Sequence, residues 1–192
     1  MKNKKLHLSK ISIEDLQLTF DLINEKTVRR WSFNPSKIKY KIHEKWLKKK
    51  FKKKEFYFWK LVKKTECLGL VRIELIKEKY ELSYLISKKF RGKNLGLQMI
   101  NLAIKKIYKK KSKIKNIFAK SFIKNVSSNK TLLKSGFKLF RRWVQETEDR
   151  LLAMLTSADA EISLIPVQLG EGSTEESFQF IQEPINGALS IE

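Results

Sequence analysis

A switch in hydrophobic period near the middle of the chain narrows the fold more than any other feature. Residues 56–62, FYFWKLV, and 68–76, LGLVRIELI, are rich in aromatic and β-branched side chains and are joined by the polar run KKTE, the pattern of an antiparallel hairpin. YELSYLIS at 80–87 reads as a third strand beside them. The period then lengthens, because Leu95, Met99, Leu102, Ala103 and Ile107 recur at helical spacing and predict a helix over 95–110. Strands in succession followed by one long amphipathic helix call for a sheet covered by helices, not a bundle or a repeat.

The flanking segments fit that scheme. Ser12 and Asp15 have capping-box spacing ahead of a periodic stretch that runs to about Glu25. Asn34-Pro35-Ser36 breaks the pattern, and a second helix resumes near 43–53 with Trp46, Leu47 and Phe51 on its apolar side. NIFAKSF at 116–122 reads as a strand, Ser128 to Ser135 as a short helix closed by Gly136, and FKLFRRW at 137–143 as another strand. The expected order is helices first, then β-β-β-α-β-α-β.

The 192 residues, 42% of them hydrophobic, suffice for one core and hardly for two. Cys67 is the single cysteine, which excludes a disulfide framework; with only His7 and His43 beside it, no metal site is expected. The basic start MKNKKLHLSKIS lacks the apolar stretch of a secretory signal, and no run approaches the ~18 apolar residues of a membrane span. A cytoplasmic protein is expected.

Charge divides the chain. Lys and Arg number 42 against 20 Asp and Glu, for a formal net charge of +22; residues 1–144 hold 41 of the cations and 10 acids, whereas 145–192 hold Arg150 against 10 acids. We read 1–144 as the main domain and 145–192 as an acidic, lysine-free segment. That segment completes the fold, pairs with the basic surface, or is a fused or frame-shifted extension. Within it, 146–160 reads as a helix, and 161–169 and 177–182 as strands. A positive field of this size attracts phosphates, RNA or anionic lipid. Yet lysine outnumbers arginine 35 to 7, as coding rich in A and T would write any cytosolic enzyme, and specific nucleic-acid readers rely on arginine forks and exposed aromatics. No specific nucleic-acid partner is assigned.

The most informative segment runs from Tyr84 to Gly96, YLISKKFRGKNLG, a strand, a basic glycine-bearing turn and a helix start. The first backbone N–H groups of a helix lack partners and the dipole is positive there, so a diphosphate can be cradled by main chain. Gly92 lets the backbone come close, Gly96 lets the helix pack tightly, and Arg91 and Lys93 add charge. The segment is neither a P-loop nor a dinucleotide fingerprint.

A later run, Asn125-Val126-Ser127-Ser128, leads into a short helix that ends in Gly136-Phe137. Together the two segments resemble the GNAT N-acetyltransferases, whose cofactor turn reads R/Q-x-x-G-x-G/A and whose later motif reads N-x-x-S/A before a short helix ending in G-F. The resemblance covers about residues 6–143. It implies a GNAT-like α/β (α+β) fold, with a mixed, mostly antiparallel central sheet flanked by helices and an acidic C-terminal extension. It also implies acetyl-CoA as co-substrate, in a wedge between the strands at 80–87 and 116–122. The cofactor residues implied are Leu85, Ile86, Arg91, Gly92, Lys93, Asn94, Leu95, Gly96, Asn125 and Ser128. Asn94 replaces the central glycine of the family turn; asparagine tolerates left-handed geometry better than other non-glycine residues. Asn125 also reads as a helix N-cap.

The same resemblance implies Glu81 as a catalytic base acting through water, with Glu74 in reserve. Leu132 stands where the family often has an acid tyrosine and cannot donate a proton; Tyr84, Ser128 and solvent are left as substitutes. Cys67 reads as a packing residue.

The acceptor is read from VRRWSFN at 28–34, IHEKWL at 42–47 and the aromatic strand at 56–59. These are similar to the branch that acetylates nucleotide-linked amino sugars for pseudaminic acid, with VR-x-W-x-x-N followed by H-x-x-W/F-L. That similarity implies UDP-4-amino-4,6-dideoxy-N-acetyl-β-L-altrosamine as acceptor, feeding glycosylation of flagellin or surface polysaccharide. Arg29, Trp31, Asn34 and His43 are the contact candidates. Two readings stay open beside it: a protein N-terminal acetyltransferase of the ribosomal-protein type, and a basic RNA- or membrane-surface module without catalysis. The oligomeric state is open, a dimer being compatible.

Overall fold

The structure, a computed structural model, describes residues 5–111, 113–145 and 175–182. In chain order the elements are β1 (His7–Lys10), α1 (Leu16–Ile23), α2 (Lys26–Arg29), α3 (Tyr40–Phe51), β2 (Phe56–Lys63), β3 (Glu66–Ile76), β4 (Lys79–Ile86), α4 (Leu95–Lys110), β5 (Ile117–Phe122), α5 (Val126–Lys134), β6 (Lys138–Gln145) and β7 (Glu175–Gln182). The strands form one sheet in the order β1-β2-β3-β4-β5-β7-β6. Every pair is antiparallel except β4 with β5, so the fold is the mixed α/β arrangement expected.

The chain does not open on a helix. β1 pairs antiparallel with β2 through His7↔Val62 to Lys10↔Trp59, and of its residues only Leu8 is buried. Four residues with one apolar anchor leave no readable period, and pairing with β2 supplies the stability the segment lacks. The helix expected from Ser12 begins as a short 3-10 turn, in which the Ser12 N–H donates to Asp15 Oδ2 at 3.1 Å, and continues as α1. The predicted helix over 146–160 and strand over 161–169 lie outside the described residues. Residues 175–182 form an interior strand, between β5 and β6.

Cross-strand partners share a face, and the register divides the sheet into two cores. Tyr57, Val71, Ile73, Leu82 and Ile117 pack under α4, whose Met99, Ile100, Ala103 and Ile107 are fully buried. Phe56, Phe58 and Leu70 on the opposite face pack against α1 and α3 through Leu16, Leu22 and Leu47. Each fully buried aliphatic side chain contributes about 1.5–3 kcal/mol by leaving water. α5 closes with Gly136 at φ 82; the Phe137 N–H reaches the Leu132 carbonyl at 3.1 Å and the Gly136 N–H that of Leu133 at 3.0 Å, so the Gly-Phe pair is a helix stop anchored by a buried ring.

The one parallel ladder is short. β4 and β5 pair only through Tyr80↔Ile117, Glu81↔Phe118 and Leu82↔Ala119. Beyond Leu82 the β4 edge has no ladder partner on that side among the described residues, and the two strands part. α4 follows the end of β4 and α5 the end of β5, so both helix N-termini flank the opening.

Candidate active site

A cavity of about 870 Å³ fills that opening and continues over the face that carries α1 and α3. Its cofactor half is built from main chain. Gly92 has φ 77 and Asn94 φ 57, so two left-handed residues shape the turn into α4, whose first residues Leu95, Gly96 and Leu97 line the cavity. Asn94 is the N-cap of α4 and makes no side-chain capping bond. A Cβ on Gly96 would lie 3.2 Å from Thr131 Cγ2 and 3.4 Å from Tyr84 Cε2; glycine there lets α4 press against α5 and β4. Asn125 caps α5, its Oδ1 accepting the Ser128 N–H at 3.3 Å.

Leu85, Ile86, Arg91, Gly92, Asn94, Leu95, Gly96, Asn125 and Ser128 all line the cavity. Lys93 does not; its ammonium lies over the Phe90 ring at 6.0 Å. Arg91 is held back by its own turn, with Nε donating to the Ile86 carbonyl at 2.9 Å and Nη2 3.5 Å from Glu25 Oε2. Glu25 also accepts from Ser87 Oγ at 2.8 Å and the Lys88 N–H at 2.9 Å. Sequence reasoning missed this carboxylate, because its partners lie more than sixty residues away in the chain. It ties the start of α2 to the turn.

Tyr84 and Ser128, two of the substitutes considered for the missing acid, stand together. The Tyr84 hydroxyl lies 3.1 Å from Ser128 Oγ and lines the cavity. Burial pushes the phenol above its usual range, opposed by the Ser128 and Thr131 hydroxyls, so the group keeps its proton at neutral pH. Leu132 is 1% exposed and belongs to the core.

The two candidate carboxylates are held back from the cavity. Glu81 pairs with Lys120 at 2.9 Å. Glu74 is 3% exposed, bonded to Lys50 and 3.1 Å from Arg72 Nε. The two sit directly opposite on β4 and β3, and their cationic partners Lys120 and Arg72, not the carboxylates, are lining residues. Cys67 is half-buried, its thiol pushed up by burial, and lies outside this cavity.

The acceptor half is built from side chains. Trp31 and Phe33 are 37% and 40% exposed and lie 6.5 and 4.8 Å from the Phe122 ring, an aromatic mouth rather than a core. Arg29 lines the cavity but commits its donors to the loop, reaching the Asn34 carbonyl through Nη2 and the Ser36 carbonyl through Nε at 2.9 Å. Asn34 is not a lining residue; its Oδ1 accepts the Ser36 N–H at 2.9 Å and shapes the turn. His43 lines the cavity at 2% exposure, stacked on Trp46 at 5.6 Å. Its Nε2 is 2.9 Å from Thr19 Oγ1, whose own proton goes to the Leu16 carbonyl at 2.9 Å. Nε2 is therefore the donor and Nδ1 the acceptor. Burial pulls the ring below its ordinary value.

With this geometry in place, the family follows. The acetyltransferase (GNAT) domain family matches residues 5–138. The chain belongs to the GNAT acetyltransferases. The fold likeness extends to solved structures. A spermidine N-acetyltransferase from Vibrio cholerae in complex with CoA and spermine has a TM-score of 0.72 at 16% identity, covering 94% of this chain and 96% of that one. The aminoglycoside acetyltransferase AAC(6')-Ib in complex with coenzyme A and kanamycin gives 0.68 at 11%, covering 94% and 95%. A ribosomal L7/L12 alpha-N-protein acetyltransferase in complex with coenzyme A gives 0.68 at 13%, covering 93% of each. No curated protein matches the sequence. This GNAT protein is an acetyl-CoA-dependent N-acetyltransferase, and the parted strands and the α4 turn fit its co-substrate. Among the described residues no group of His, Cys, Asp and Glu gathers as a metal site, and no helix is long and apolar enough to cross a membrane.

Proposed function

We propose that this acetyltransferase acts on the amine of a nucleotide-linked amino sugar, of the UDP-4-amino-4,6-dideoxy-N-acetyl-altrosamine type used for pseudaminic acid. One observation supports the reading. Among the described residues the cavity is lined by Arg29, Arg72, Arg91, Lys120, Lys130 and Lys134, and by no Asp or Glu. A polyamine or an aminoglycoside brings several ammonium groups, which such a lining repels; a nucleotide diphosphate brings the complementary charge. Trp31, Phe33 and Phe122 offer exposed rings to a base or a sugar face.

The chemistry agrees with the lining. Neighbouring cations disfavour a protonated amine, and a sugar amine whose neighbouring carbons carry oxygens gives up its proton readily. A neutral nucleophile is then available without a carboxylate in contact, and Glu81 takes the proton at most through water. As the C–N bond forms and the C–S bond breaks, the departing thiolate needs a proton. Tyr84, protonated and backed by Ser128, supplies it, as Leu132 cannot.

The full chain offered acetyl-CoA with a UDP-linked 4-amino sugar, with spermidine, or with a Ser-starting peptide tests this by thiol release. Release with the sugar is expected. Release with spermidine overturns the acceptor assignment, and release with the peptide alone moves the enzyme to the N-terminal acetyltransferases.

A further inference from the structure

Arg72 is the unexplained charge of the acceptor half. It lies on β3 directly opposite Ser83 of β4, and both line the cavity. Its guanidinium carbon is 5.3 Å from the Trp46 ring centre. Its Nε is 3.1 Å from Glu74 Oε1 but not aligned with it, and is buried without a hydrogen-bond partner. Glu74 already has Lys50 as a second cation, so the cluster keeps a surplus positive charge.

An arginine carries five N–H donors in a rigid fork, and buried donors are almost always satisfied. Among the described residues the polar partners of Arg72 are the Glu74 carboxylate and the Trp46 ring, with Glu81 acting through its charge. A purely structural arginine at this place would direct its fork at carbonyls, as Arg29 does at the rim of the same cavity. Ser83 is the first β4 residue past the end of the β4–β5 ladder, which sets the pair beside the apex of the wedge on the acceptor side. Lys120, on the same face across the wedge, is paired with Glu81, the other carboxylate whose charge reaches Arg72.

We infer that Arg72 and Ser83 form an oxyanion subsite for the acceptor. The inference rests on the acceptor reading above for its preferred ligand, a phosphate of a nucleotide-linked sugar. A carboxylate offers the same chemistry from another source. The fork accepts two oxygens of the anion side by side, and the serine hydroxyl donates to a third oxygen or to the sugar. Trp46 behind the guanidinium holds its plane.

The test is calorimetric titration of the full chain, saturated with coenzyme A to fill the cofactor half, with UDP and separately with glutamate. The native chain, Arg72→Lys and Arg72→Met are compared, and coenzyme A affinity is measured first on each as a check of the fold. UDP binding is expected to weaken roughly tenfold or more in Arg72→Met and about threefold in Arg72→Lys, which keeps the charge and loses the fork, with coenzyme A affinity unchanged. Equal UDP affinity in all three chains overturns the subsite, as does a native chain that takes up neither probe. Glutamate binding that depends on Arg72, without UDP binding, upholds the subsite and overturns the nucleotide-sugar reading. Should Arg72→Met lose coenzyme A binding, Ser83→Ala serves instead; an about threefold loss of UDP affinity upholds the subsite and no loss overturns it.

Discussion

The two halves of the cavity solve recognition by different means. The cofactor half uses backbone: Gly92 and Asn94 in left-handed conformations, the amides at the start of α4, and Gly96 packed against Thr131 and Tyr84. The acceptor half uses side chains from separate elements, with Arg72, Ser83, Lys120 and Phe122 delivered by three strands and Trp31, Phe33 and His43 by α3 and the segment before it. A diphosphate common to a whole family can be held by main chain, provided a few residues such as Gly92 and Gly96 let it take the shape. An acceptor particular to one enzyme must be met by groups that differ between enzymes.

Gly96→Val tests the contrast hardest. The added carbons enter space already limited to 3.2 Å by Thr131, so α4 is forced from α5; a loss of about 1–3 kcal/mol in stability is expected, with coenzyme A affinity falling roughly 10- to 100-fold by calorimetry. Trp31→Ala should leave coenzyme A affinity untouched and raise the acceptor KM roughly tenfold, the value of a lost stack on a base; equal losses on both ligands would show that the halves are not separable. Asn94→Gly relieves the left-handed residue at φ 57 and clears a side chain from the turn, and a twofold to fivefold gain in coenzyme A affinity with a stability change of about 0.5 kcal/mol is expected.

The smallest effect concerns His43. Its folded-state pKa is depressed from 6.5 by burial, so the unfolded chain takes up a proton that the folded chain refuses. The contribution is fully present above pH 6.5 and is lost as pH falls below it. Urea midpoints measured at pH 7.5 and 5.5 should drop on acidification in the native chain and drop less in His43→Gln.

The same contrast decides what could be read from residues alone. The α4 turn was readable because its geometric demands fall on neighbours in the chain, residues 91–96, and left-handed turns admit few residue types. Arg72 was not, since in LVRIELI it alternates with Glu74 as a charged position of the strand and looks solvated; only the register against Ser83 and the ring of Trp46 reveal the cavity above it. Lys120 is one of 35 lysines, and nothing local distinguishes it. Arg29 and Asn34 came from the likeness of VRRWSFN to VR-x-W-x-x-N, yet the loop between them uses both to hold itself.

The position of β7 has a bearing on how the enzyme comes into being. Synthesis delivers β5 and β6 long before residues 175–182, the strand that must slide between them. Until it arrives, the wall of the wedge has a bare outer border, open to strands of other nascent chains. A premature stop between residues 146 and 174 would therefore strip β5 of its neighbour while sparing every described residue that lines the cavity.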